Sequence, residues 1–200
     1  EAVNNAGMDI KDMDGIAVTY GPGLAGSLLV GVNVAKSLAM SLELPLYGVN
    51  HLKGHIYAAW VMEERPEAKA EFPFVCLVAS GGHTELLLMR NYRDFTLLGQ
   101  TRDDAAGEAL DKAARILDLG YPGGPAIQKA AAGVRPKEQM PRAWLPGSLD
   151  FSFSGVKTAV LNKARVHGLL EVENKTEAQE EAARELAAAF QESIVDVLVN

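Results

Sequence analysis

His51 and His55 stand four residues apart in the stretch NHLKGHIYAAW that begins at Asn50. On a helix that spacing puts both imidazoles on one face, where their ring nitrogens could bind a single metal ion. Two histidines make an incomplete site, so a third protein ligand must come from elsewhere. The zinc-protease pattern H-E-x-x-H carries its general base directly after the first histidine. Leu52 occupies that place here, so protease chemistry of that kind lacks its base. The competing reading is a pair of core histidines in an otherwise buried helix.

Three glycine turns could hold an anion. Gly21, Gly23 and Gly26 spell G-x-G-x-x-G between a strand and a helix. A dinucleotide site of this form needs an acidic residue at the end of the next strand, to hold a ribose hydroxyl. That strand ends in Val49 and Asn50, with no acid, and Ser27 stands where a P-loop would have its lysine. A tight turn and an anion site are both compatible with these glycines. In SGGHTE, from Ser80 to Glu85, Gly81 and Gly82 would let backbone N–H groups approach an anion without side-chain obstruction. The alternative is a plain hairpin turn, with His83 either a substrate contact or a surface residue. Gly123 and Gly124 in GYPGGP form a further backbone-rich turn. Between these turns, Asp104, Glu108, Asp111 and Arg115 fall on one helical face. That is either a solvated face or a set of acids for ribose hydroxyls or magnesium.

The elements that must position these groups follow from the apolar pattern. Residues 14–20 read as a strand, 27–42 as a mostly buried helix and 44–49 as a second strand. Asn50 is placed to cap the histidine helix. This strand–helix–strand–helix order implies an α/β architecture with a parallel sheet. Residues 64–71 are polar and read as a linker. FPFVCLVA and TELLLMR then form a hairpin, and FTLLGQT a third strand. Asp104 is expected to cap a helix running to about Leu117, and Pro125 to open a short helix. Residues 133–148 hold Pro136, Pro141 and Pro146 and must be irregular. DFSFSG reads as a strand entering a helix at 156–165. Residues 171–181 read as an acidic, solvated approach to a last helix, on which Leu186, Phe190, Ile194 and Leu198 form one stripe. Both chain ends read as cut.

Composition bounds the function. The chain has 200 residues and 48% apolar content, enough for a core in one or two domains. Its net charge of −7 argues against a surface that holds nucleic acid by its own field. If the chain acts on nucleic acid, partners supply much of the positive surface. No apolar run approaches the roughly 20 residues that span a membrane. The one cysteine, Cys76, sits in an apolar run; it excludes an internal disulfide and fits a reducing compartment.

GPGLAGSLLVG, NHLKGH, ASGGHTEL, DDAAGEALDKAAR, YPGGPAI and FSFSGVKTAV occur in the order seen in the TsaD family, over residues 13–200. The chain resembles that family, the tRNA N6-adenosine threonylcarbamoyltransferases once labelled O-sialoglycoprotein endopeptidases. The histidine in SGGHT resembles its bacterial branch. The resemblance implies an actin-like ATPase (ASKHA) fold, with two lobes that each carry a mixed sheet and covering helices. Residues 1–71 would belong to the first lobe and 72–200 to the second. It implies transfer of a threonylcarbamoyl group from threonylcarbamoyl-adenylate to N6 of the adenosine 3′ of the anticodon, in tRNAs reading ANN codons. His51 and His55 match the family's metal-binding histidines, for one Fe(2+) or Zn(2+) ion. Val78, Ala79, Ser80, Gly81 and Gly82 match its substrate-binding hairpin, and Asp111 and Gly124 two further substrate contacts. Gln128 departs from the aspartate of many members. Substrate tRNA, TsaB-like and TsaE-like partners, ATP or ADP as further nucleotide ligands and a cytoplasmic setting are also implied, while homo-oligomerisation and a general base stay open. The third metal ligand is expected beyond residue 200, and a 200-residue chain alone is expected to be inactive. A metalloprotease and a non-catalytic nucleotide-binding scaffold are the competing functions.

Overall fold

The computed structural model describes residues 2–61, 71–172 and 174–200. Apart from Glu71, the stretch expected as a linker lies outside the described residues. The chain divides into two compact units, Glu1–Lys69 and Ala70–Asn200.

The first unit is built from α1 (Ala2–Asn5), β1 (Ile16–Gly21), α2 (Ala25–Ser41), β2 (Leu46–Asn50) and α3 (His51–Val61). β1 and β2 pair in parallel, with Ile16 opposite Leu46 and Gly21 opposite Asn50. The parallel pairing expected from the element order is therefore present. α2 differs from expectation. Only Ala35 and Ala39 are buried on it, while Leu29, Val30, Val34 and Met40 are exposed. A two-stranded sheet is narrow, and within this unit it covers one stripe of an all-round apolar helix. α3 likewise buries Ile56, but His51 and His55 are both exposed.

The second unit pairs β3 (Phe74–Ala79), β4 (Thr84–Met89) and β5 (Phe95–Gln100) as an antiparallel sheet in that order. Four helices complete it: α4 (Ala106–Leu117), α5 (Gly123–Ala131), α6 (Ser154–Val166) and α7 (Glu177–Val199). α4 is the hub, packing on α5, α6 and α7. Its inner face is Ala106, Ala109, Ala113, Ala114 and Leu117, all buried. Short side chains there let three helices approach one axis. Phe153, Val156, Val160 and Phe190 fill the space between them and are fully buried. The α7 stripe behaves as expected: Leu186, Phe190 and Ile194 are buried, and Leu198 is partly so.

Several boundaries differ from the sequence reading. The N-cap of α4 is Ala105, not Asp104. The Asp104 carboxylate instead accepts from Lys112 at 2.7 Å and Lys157 at 3.3 Å. α5 opens at Gly123, two positions ahead of Pro125. α7 begins at Glu177, inside the acidic stretch, because Thr176 and Gln179 close a capping box there. DFSFSG forms no strand; Phe151 makes one isolated parallel bridge to Thr101. A side chain holds this segment. Asp103 accepts from Phe153 N at 2.8 Å, Ser152 Oγ at 2.6 Å, Ser154 Oγ at 2.8 Å and Ser154 N at 3.3 Å. Asp103 thereby caps α6, whose own N-cap residue, Phe153, has no side-chain acceptor. The proline-rich stretch is irregular, as its composition requires. It is tied to α7 by Arg142, which donates to Asp196 at 2.6 and 2.9 Å, and by Ser193 Oγ, which donates to Pro141 O at 2.6 Å.

Burial raises the Asp103 pKa, but the Phe153, Ser152 and Ser154 donors outweigh it and hold the carboxyl below its ordinary value. Its stabilisation is therefore fully present above the ordinary carboxylate range and is lost as pH falls through the lowered folded-state value. Asp103→Ala should cost about 1 kcal/mol of stability, as loss of a helix cap does, measured by thermal denaturation at neutral pH. The difference from wild type should shrink as pH falls below about 4; a difference independent of pH would mean that the carboxylate charge contributes nothing.

Candidate functional site

In the first unit, β2 runs into α3 without a connecting loop. Asn50 ends the strand and caps the helix, its Oδ1 accepting from Leu52 N at 2.9 Å and Lys53 N at 3.2 Å. This cap sets the rotation of α3 at its first turn, and with it the direction of His51. His51 Nε2 and His55 Nε2 lie 3.1 Å apart, with ring centroids at 4.5 Å and an interplanar angle of 70°. Two nitrogens on one tetrahedral zinc, each about 2.0–2.1 Å from it, are separated by about 3.3 Å. The pair thus converges as two ligands of one ion do. The same separation is a hydrogen bond if one ring donates Nε2–H to the other. Exposure of both rings removes the core-histidine reading. Among the described residues no group of three or more His, Cys, Asp or Glu converges, so the pair has no third protein ligand there.

The glycine loop after β1 lies at the same sheet end, because Gly21 pairs with Asn50. A shallow cleft of about 420 Å³ opens there, lined by Thr19, Pro22, Gly23, Ser27, Gly31 and His51 among others. Carboxyl ends of parallel strands are where such sheets place ligands. The dinucleotide pattern is not reproduced, however. Its third glycine should sit tight between helix and strand, yet a Cβ on Gly26 would meet nothing within 4 Å.

In the second unit, the Ser80–His83 turn joins β3 to β4. Ser80 organises it: Ser80 N donates to His83 O at 2.8 Å, and Ser80 Oγ accepts from His83 N at 3.1 Å and Gly82 N at 3.4 Å. Neither Gly81 nor Gly82 has a left-handed φ, and a Cβ on either would meet nothing within 4 Å. The fold of this unit does not demand glycine at those two positions. Gly107 is the opposite case. A Cβ there would lie 2.6 Å from Ser80 O and 2.8 Å from Gly81 Cα, and Gly107 N donates to Ser80 O at 3.1 Å. The first turn of α4 therefore touches the hairpin backbone to backbone.

Asp111 and Gly124 come together by a similar device. Asp111 Oδ1 accepts from Gly123 N at 2.7 Å, capping α5, and a Cβ on Gly123 would lie 2.5 Å from Leu110 O. Asp111 lies three residues from Glu108 on α4, but its carboxylate is engaged with the start of α5. Asp104 precedes the helix, and Glu108 pairs with Lys112 at 2.9 Å. Among the described residues those three acids do not converge on one metal position.

Hairpin, α4, α5 and α7 enclose a cleft of about 530 Å³, within the range of small-molecule sites. Ala79, Ala106, Gly107, Leu110, Gly124 and Pro125 form one side of it. Gln128, Gln191, Ile194, Val195 and Leu198 form the rest. The cleft is uncharged, and its polar side chains are two carboxamides. Of the sequence-derived residues, Ala79 and Gly124 line it, Ser80–Gly82 adjoin it through Gly107, and Val78 is buried, so that only its backbone could face a ligand. Gly107 and Gln191 also line the cleft, though the sequence reading does not single them out. Glycine within an alanine-rich helix costs about 1 kcal/mol relative to alanine, and that anomaly was the available signal for Gly107.

The fold is α/β, with an uncharged cleft beside a backbone-rich turn. The family model described as TsaD, tRNA N6-adenosine threonylcarbamoyltransferase, matches residues 1–200, and the chain belongs to that family. A tRNA N6-adenosine threonylcarbamoyltransferase of Thermomicrobium roseum is 53% identical over 222 residues, covering 100% of this chain and 59% of the relative. Proteins of the same name from Syntrophus aciditrophicus and Halalkalibacterium halodurans are 54% and 50% identical over 201 residues, each covering 100% of this chain. They are covered over 56% and 55% of their own length, so the chain spans little more than half of such relatives. No described helix is long and apolar enough to cross a membrane.

The cap geometry separates two substitutions at Asp111. Asparagine keeps an oxygen for Gly123 N, and alanine does not. Asp111→Asn should melt within about 0.5 kcal/mol of wild type, while Asp111→Ala should lose about 1 kcal/mol. Equal melting of both variants and wild type would show that the bond to Gly123 N carries no stability.

Proposed function

We propose that the protein transfers the threonylcarbamoyl group of threonylcarbamoyl-adenylate to N6 of the adenosine 3′ of the anticodon, in tRNAs reading ANN codons. The observation that carries the proposal is the pairing of two glycines the fold does not require, Gly81 and Gly82, with an uncharged cleft held against them by Gly107. Open space at a backbone turn leaves room for a phosphate or a developing oxyanion to approach the main chain. The apolar cleft suits the planar base, and the carboxamides of Gln128 and Gln191 suit its hydrogen-bonding edge. Family membership supports the same substrate pair.

The reaction forms an N–C bond between adenosine N6 and the carbamoyl carbon. The C–O bond to the adenylate phosphate breaks, AMP leaves with the bonding electrons, and the amine gives up a proton. No hydroxide is needed, in keeping with Leu52 at the position of a protease base. Positioning dominates such a reaction, because the amine is a weak nucleophile. His51 and His55 would hold an Fe(2+) or Zn(2+) ion, and their converging nitrogens fit that use. When bound, such an ion supplies a Lewis acid and template. An actin-like two-lobe fold, TsaB-like and TsaE-like partners and a cytoplasmic setting belong to the same proposal. Bound partners would provide the positive surface that a net charge of −7 withholds from the tRNA backbone.

The test is single-turnover transfer from threonylcarbamoyl-adenylate to tRNA by the full-length protein with partner proteins. Gly81→Val should abolish adenylate binding in calorimetry while melting stays unchanged, since its side chain enters open space. Normal affinity for an adenylate analogue in that variant would reduce the hairpin to a turn. Replacing His51 and His55 together with alanine should remove bound Fe or Zn by elemental analysis; unchanged metal content would refute the pair as ligands. Asp111→Asn should cut transfer sharply if its carboxylate charge also serves the substrate, whereas full activity would confine Asp111 to capping α5.

A further inference from the structure

Thr84 is fully buried although its side chain is polar. Its Oγ1 accepts from Ala106 N at 2.8 Å, across 22 residues of chain. Ala105, the N-cap residue of α4, has no side-chain acceptor, so the helix borrows one from β4. Thr84 O accepts from Thr101 N at 2.8 Å, tying the approach to α4 to the same residue. Thr84 follows the Ser80–His83 turn directly, and Ala106 and Gly107 line the cleft. Two bonds therefore fix the hairpin to the first turn of α4: Thr84 Oγ1 with Ala106 N, and Ser80 O with Gly107 N. The second depends on backbone alone. The first depends on one hydroxyl.

We infer that Thr84 is a positioning residue for the adenylate, setting the spacing between the glycine hairpin and the α4 wall of the cleft; this rests on the function proposed above. Loss of the hydroxyl leaves Ala106 N–H without a partner in a buried place, and α4 can relieve that by moving off the hairpin to admit water. The helix start then no longer sits against Gly81, and a donor spanning turn and cleft loses part of its contact.

Valine and serine separate this role from packing. Valine keeps the buried methyl group and removes the acceptor, while serine does the reverse. In the full-length protein with partners, Thr84→Val should raise KM for threonylcarbamoyl-adenylate at least tenfold. The kcat should change less than twofold, and KM for tRNA and metal content should not change. Thr84→Ser should stay within about threefold of wild type. An Ala105→Ser change added to Thr84→Val supplies α4 with a local cap, whose hydroxyl reaches the third helical N–H, that of Glu108, and not Ala106 N. It should recover melting temperature but leave KM for the adenylate raised, and it also serves if Thr84→Val alone folds poorly. The inference is overturned if Thr84→Val keeps the wild-type KM, if Thr84→Ser is impaired as much as Thr84→Val, or if the local cap restores KM along with stability. Absence of any saturable transfer by the wild-type protein would overturn the functional proposal and this inference together. Normal wild-type transfer with an unaffected Thr84→Val would remove only the role of Thr84.

Discussion

The carbonyl oxygen of Ser80 leaves no room for a side chain at residue 107. Much of the second unit follows from that contact. The first turn of α4 must come within backbone distance of a hairpin, and only glycine permits it. A second close approach, Gly123 against Leu110 O, brings the start of α5 onto the same helix. The alanines of the inner face then let α6 and α7 close in from the other side. α4 thus meets its neighbours at short range along its length, and the cleft beside it is walled by those same elements.

Charge near the cleft is used up locally. Asp104 is held below the ordinary carboxylate range, because hydrogen bonds and charge from Lys112 and Lys157 outweigh the burial that raises it. Lys112 is shared with Glu108. Asp103 is spent on α6 and Asp111 on α5. What remains along the cleft wall is neutral, which suits a base or a peptide-like group better than a phosphate.

The element order and most boundaries were legible in the sequence, because hydrophobic period and turn residues are local signals. The α7 stripe and the Asn50 cap are examples. Failures came where a distant residue decides the local outcome. Asp104 looked like a cap, but Thr84, on a strand before it, already held the helix start. DFSFSG had the alternation of a strand, but Asp103 supplies the bonds that a ladder would otherwise give. The acidic face read from a 3.6-residue period assumed that the helix began early enough to include Asp104. As candidates, the histidine pair of the first unit and the hairpin glycines of the second announce themselves by type and spacing. Gly107, Thr84 and Gln191 do not, because their contacts exist only once helices and sheet have met.

Strand β2 and helix α3 share a junction with no slack, since Asn50 closes the ladder with Gly21 and caps the helix in the same residue. Each residue of an α-helix turns the next side chain by about 100°. One residue gained or lost after Asn50 would therefore swing both imidazoles to another side of α3 together, keeping their mutual distance while changing what they face. Substitution at this junction is a question of energy, but a change in its length is a question of phase. Outward substitutions on α3 leave that direction alone, whereas a changed count of residues between the end of β2 and His51 does not.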